Sequence, residues 1–214
     1  MATVSRGKKG DGRQSRAVPV RARAEASRNA IMQAAMALWR TKGFAATTVT
    51  DICKAAGVSK ALFYVYFSRR EDVLLSVEVF TMRDAHQAAK IMAERSYELA
   101  DVITVVVDAL ERQCRNYPPE LIFEAVLETY RIERRTLSDG ATENELTFLF
   151  LEPFQQAARD GKFPAGADIA RCARIAQVMV SDSIRCWAAG DFRDPLRPES
   201  LGREIAGLVL AAQG

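Results

Sequence analysis

From Ser27 onward, apolar residues recur three and four positions apart, and no stretch alternates with a period of two. That spacing marks one face of an α-helix, so the chain reads as all-α. Ile31, Ala34, Ala35, Leu38 and Trp39 form the first stripe, and Gly43 stops it. A short second stripe, Val49, Ile52 and Cys53, follows a cap at Thr47 or Thr48 and ends at Ala56-Gly57-Val58. Ser59 opens a third helix that carries Phe63 and Phe67 at i and i+4. Ser68 can cap a fourth, with Glu71 and Asp72 in a first turn where the helix dipole favours acids. Beyond it the pattern predicts helices over 69–94, 98–116, 119–136, 141–160, 168–189 and 198–212. Tyr117-Pro118-Pro119, Ser138-Asp139-Gly140, Gly161 to Gly166 and Gly190 to Pro198 supply the breaks.

Charge divides the chain unevenly. Residues 1–70 hold 14 Lys/Arg against 3 Asp/Glu, and the remainder holds 16 against 24. One end therefore suits a polyanion, because each cation that meets a phosphate releases condensed counterions. A basic tail that only aids solubility is the plainer alternative. Residues 1–24 contain scattered glycines and Arg6, Lys8, Lys9, Arg13, Arg16, Arg21 and Arg23, with too little apolar content to repay ordering. They read as a disordered basic arm that either tracks DNA or serves as a tail. The organisation is then 1–24 arm, 25–70 three-helix head, and 71–214 helical second domain.

With 49% apolar and 27% charged residues the chain has the balance of a folded domain. No stretch supplies the roughly 20 apolar residues of a membrane span, and no apolar run follows the basic N-terminus as a secretory signal would require. The expected location is cytoplasmic. Cys53, Cys114, Cys172 and Cys186 lie far apart and His86 is the single histidine, so neither a metal centre nor a disulfide framework is expected. No Ser/His/Asp order, glycine-rich phosphate loop or HExxH motif points to an enzyme or a cofactor.

The most informative segment is Thr47–Asp72, TTVTDICKAAGVSKALFYVYFSRRED. Two short helices joined by a turn containing Gly make a helix-turn-helix. Val49, Ile52, Ala56, Val58, Phe63 and Phe67 can pack on the first helix, which leaves a face of Ser, Lys and Tyr suited to phosphate and groove contact. The segment resembles the N-terminal pattern of the TetR family of transcriptional regulators through Thr48, Ile52, Ala56-Gly57-Val58-Ser59, Phe63-Tyr64, Tyr66-Phe67 and Arg70-Glu71. The resemblance covers residues 28–75, and the helical remainder has the expected length. Cys53 stands where the family usually has Ala, Ala61 where it often has Gly, Arg70 where Lys is usual, and Val73 where Leu is common.

The resemblance implies a homodimer whose head binds a palindromic operator and whose second domain binds a small molecule. By position, Thr48, Tyr64, Tyr66 and Arg70 would hold the DNA backbone, and Ser59 would bond a phosphate. Lys60, Ala61, Leu62 and Val65 would face base edges. Lys60 alone has a strong polar handle, so readout is expected to be sparse and aided by DNA shape. In the second domain, Phe80, Asp84, Phe123, Tyr130, Phe150, Phe154 and Met179 are candidate pocket residues, with Glu128 and Gln177 as further polar candidates. Arg131, Arg134 and Arg135 read first as a solvated face; a phosphate-bearing effector such as an acyl-CoA would also suit them. Trp187, Leu201, Ile205 and Leu208 are candidates for the dimer interface. The expected function is a ligand-responsive repressor released by a small, largely apolar effector. An activator or an effector-independent architectural DNA-binding protein are the alternatives.

Overall fold

The computed structural model describes residues 20–92, 94, 96–139 and 149–212, and gives the backbone alone for residues 20 and 75–83. Among the described residues there are nine α-helices and no strand. The first, α1 (Val20–Lys42), begins earlier than Ser27 and takes in the end of the segment expected to be disordered. The run from Val20 to Ala30 is rich in Ala and Arg, which favour helix, and that local preference extends the core-packed helix backwards. Residues 1–19 of the expected arm lie outside the described residues.

The helix-turn-helix is α2 (Val49–Ala56) followed by α3 (Lys60–Tyr66). Thr48 and Asp51 cap α2 reciprocally: Thr48 Oγ1 accepts the Asp51 N–H at 3.2 Å, and Asp51 Oδ2 accepts the Thr48 N–H at 2.9 Å. Gly57, at φ 67°, ends α2 in the left-handed region. Its N–H reaches Lys54 O at 3.4 Å and the Val58 N–H reaches Cys53 O at 3.0 Å, which closes the helix with a paired C-terminal cap. Ser59 Oγ accepts the Leu62 N–H at 3.1 Å and starts α3. Trp39, Phe44, Ile52, Cys53, Phe63 and Phe67 are buried together in this small core, so Cys53 packs as an apolar residue.

One turn of 3-10 helix, Arg70–Val73, stands between α3 and the next helix. The cap position falls on Arg69 and not on Ser68, because Asp72 Oδ2 reaches back to the Arg69 N–H at 2.9 Å. The second domain comprises α4 (Leu74–Met92), α5 (Leu99–Cys114), α6 (Pro119–Ser138), α7 (Leu151–Arg159), α8 (Ile169–Ala189) and α9 (Pro198–Ala211). Its centre is α5, whose Val102, Ile103, Val106 and Val107 are buried, with α4 and α9 packed against it. Close approach of α9 depends on Gly202. A Cβ there would stand 2.2 Å from Thr104 Oγ1 and 2.8 Å from the Ala100 carbonyl. On α4, Ala85 and Ala89 face the core, and Ile91 is half exposed.

The link from α8 to α9 folds back on Trp187. The Trp187 ring stacks on Phe192 at 4.0 Å, its Nε1–H donates to the Asp194 carbonyl at 2.7 Å, and the Arg115 guanidinium lies 4.9 Å from the ring centre. Phe192 holds this place at φ 56°, a conformation that a bulky side chain adopts only when its surroundings impose it.

Candidate nucleic-acid interface

The short helix α3 turns two faces in opposite directions. Phe63 and Phe67 point into the head with ring centres 5.7 Å apart, while Val65 is 73% and Tyr64 55% exposed. Lys60 and Ala61 are exposed on the same helix, and Leu62 and Tyr66 are half-buried. Val65 and Tyr64 thus lie outside the core that Phe63 and Phe67 help to fill. The exposed side chains at Ser59, Lys60, Ala61, Tyr64 and Val65 lie on this one short segment, and Tyr66 is only partly exposed.

Thr48 and Ser59 are exposed, but both hydroxyls already cap helices. Thr48 also donates to Asp51 Oδ2 at 2.8 Å. Asp51 receives Lys42 Nζ at 2.7 Å. The Lys42 hydrogen bond, followed by those from Thr48, holds the Asp51 carboxyl far below its usual range. This pairing offsets the one acid beside the exposed face. Sequence reading did not single out Lys42 for the head; its partner lies nine residues away, across the end of α1.

Arg70, expected to hold the DNA backbone, is engaged within the head. Its Nη1 donates to the Phe44 carbonyl at 2.9 Å and the Thr47 carbonyl at 2.6 Å, its Nη2 pairs with Glu71 at 3.0 Å, and its guanidinium lies 4.2 Å from the centre of the Phe44 ring. The planar fork is occupied inside the head, where it anchors the chain just before α2. A lysine could supply one charge there but not the same fork.

The described residues named for a pocket stand in different surroundings. Phe150 and Phe154 are fully buried and continue as an aromatic row to Phe163, with successive ring centres 5.4 Å apart. They are core because three rings fill one another's gaps. Asp84 is exposed and accepts from Gln113 Nε2 at 2.6 Å. Phe123 and Met179 are partly buried against the core, and the Phe80 side chain lies outside the described residues. Tyr130 borders an open depression of about 420 Å³ with Glu133, Arg134, Leu137 and Ser138. Gln177 Oε1 accepts the Leu149 N–H at 3.0 Å, and His86 Nε2 lies 2.7 Å from the Leu149 carbonyl. Both side chains thereby fix the start of α7.

Glu128 is fully buried and bound by three arginines. Oε1 takes Arg69 and Arg135 Nη2, the latter at 3.0 Å, and Oε2 takes Arg131 Nη1 at 3.2 Å. Burial raises the carboxyl's pKa, but the hydrogen bonds from Arg69, Arg135 and Arg131 outweigh it and leave it below the usual value. Arg131 and Arg135 are thus not simply a solvated face.

Two of the four interface candidates face inward. Trp187 is held by Phe192, Asp194 and Arg115, and Ile205 is fully buried beside α5. Leu201 is half-buried and Leu208 is 50% exposed. Val178, equally exposed on α8, was missed because its helix carries apolar residues on more than one side.

A capped helix-turn-helix whose second helix presents an outward face, followed by six helices among the described residues, is an architecture shared with helix-turn-helix DNA-binding proteins. Residues 31–77 match the family described as bacterial regulatory proteins, tetR family. Residues 31–77 thus carry that family's N-terminal head, and a helical domain follows them. The chain is similar to the HTH-type transcriptional regulator EthR of Mycolicibacterium smegmatis, 48% identical over 48 residues, which are 22% of each chain. It is also similar to the uncharacterized HTH-type transcriptional regulator YerO of Bacillus subtilis, 44% identical over 46 residues, 22% of this chain and 16% of that one. These matches therefore span about a fifth of the curated relatives. Among solved structures, Thermus thermophilus FadR, a TetR family repressor in complex with lauroyl-CoA, has a TM-score of 0.65 at 24% identity over 86% of this chain and 93% of that one. Bacillus subtilis FadR in complex with stearoyl-CoA has a TM-score of 0.56 at 17% identity, covering 86% and 97%. At those identities the likeness concerns the fold.

Proposed function

We propose that the protein is a homodimeric repressor that binds a palindromic operator through α3 and leaves it when a small, largely apolar effector enters the second domain. The observation that carries this reading is the outward face of α3, with Val65 and Tyr64 exposed on a head whose core is already filled. Lys60 supplies the polar contact, most naturally to guanine, and Val65 an apolar one such as a thymine methyl. Tyr64, Tyr66, Thr48 and Ser59 line the backbone side. Arg70 supports the reading head from within. Leu208 on α9 and Val178 on α8 supply apolar surface for a second copy. A two-fold pair would present two α3 helices to half-sites about 34–36 Å apart. The lauroyl-CoA and stearoyl-CoA in the two FadR structures support an effector with a long apolar chain.

The test is a titration against duplex DNA from the region flanking the protein's own gene, at two salt concentrations, with a scrambled duplex and with lauroyl-CoA as the first effector probe. Sequence-specific binding that weakens steeply with salt and is relieved by the acyl-CoA is the expected result. Equal, weak binding to both duplexes would remove the operator reading.

A further inference from the structure

The head is fastened to α6 as well as to the start of α4. Leu121, near the beginning of α6, is buried inside the head's own core. Glu128 lies seven residues further on, two helical turns along the same face, and binds Arg69 at the junction of α3 and α4. Next along the chain, Arg70 holds the Phe44 and Thr47 carbonyls that precede α2. Charge-assisted hydrogen bonds therefore run from the interior of α6, through two consecutive arginines, to the turn that leads into the helix-turn-helix.

The pairing is arranged so that it can open. A buried carboxylate left without a cation is strongly destabilising. Glu128 avoids that state without Arg69, because Arg131 and Arg135 belong to its own helix and remain with it. Arg69 likewise keeps Asp72 at 2.9 Å, three residues away in its own turn. Each side of the contact has a local partner, so separation orphans neither charge. A contact that served only to hold the fold would not need both substitutes.

We propose that Glu128 is a positioning residue, and that its bond to Arg69 is a latch that fixes the tilt of the head on α6 and hence the separation of the two α3 helices in the dimer. The proposal rests on the operator-binding reading above. A ligand that displaces α6 by the width of a hydrogen bond would release Arg69 to Asp72, and the heads would then sample a range of separations.

The test uses the full-length protein and a duplex selected by it from a random library, together with the same duplex with one arm scrambled. Arg69→Gln, at a half-exposed side chain, and Glu128→Gln should each weaken binding to the full site about tenfold, within the range of coupling between distant sites. Binding to the half-scrambled duplex should stay within about twofold, because one head needs no fixed spacing. The double variant should bind like either single one, since both remove the same contact. Wild-type affinity of Arg69→Gln for the full site would overturn the latch. So would equal losses on the full and half sites, which would make Arg69 a direct DNA contact. If the wild-type protein selects no duplex, the operator reading fails, and the latch with it.

Discussion

In the head, every change of chain direction is closed by a named polar contact: Thr48 with Asp51, Gly57 and Val58 with the end of α2, Ser59 with Leu62, and Arg70 with two carbonyls. In the body, long helices meet along apolar faces, and the approach of α9 to α5 is governed by the absence of a side chain at Gly202. Short helices are marginal on their own and need caps to hold their ends. Long ones gain their stability from area. The head is thus specified point by point and tolerates little change at those points. The body is specified by volume and tolerates most exchanges that keep it.

This contrast can be broken first at Phe63, the fully buried anchor of α3. Phe63→Ala should cost about 3–5 kcal/mol and abolish DNA binding, read as loss of the head's protection in hydrogen exchange. Unaltered protection in α2 and α3 would show that the head does not depend on this ring. In the body, Gly202→Ala should cost about 1–3 kcal/mol, because the new methyl meets backbone that cannot turn aside. It should appear in a denaturant midpoint, and a wild-type midpoint would mean that α9 can move off α5 freely. The smallest effect falls at the cap. Thr48→Ala should cost about 1 kcal/mol in the same measurement. A loss as large as that at Phe63 would mean that Thr48 does more than begin α2.

The same division decides what could be read from the residues alone. The helix-turn-helix was legible because its signals are local: Thr48 and Ser59 before apolar stripes, Gly57 between them, and two phenylalanines one turn apart. The order of the nine helices among the described residues was legible from periodicity and breaks. The inward contacts of Arg70 were not legible, because an arginine near an outward-facing helix gives no local sign that it reaches the Phe44 and Thr47 carbonyls. That Trp187 and Ile205 are covered by their own chain was not legible, because an apolar residue looks the same in sequence whether its own chain or a second copy covers it. The link from Glu128 to Arg69 spans 59 residues. Its only trace was Glu128 on the face of Leu121, with arginines three and seven places on, a pattern equally fitting for an exposed helix.

The placement of the two tryptophans has an optical consequence. The chain has two, Trp39 fully buried in the head and Trp187 in the body. The Trp39 indole N–H has no partner among the described residues, whereas Trp187 is hydrogen-bonded, ring-stacked and beside a guanidinium. Their emission should therefore differ in colour and quenching. Replacing either with phenylalanine would leave a native fluorophore reporting on one region alone, so that the order in which head and body melt becomes visible without any attached dye.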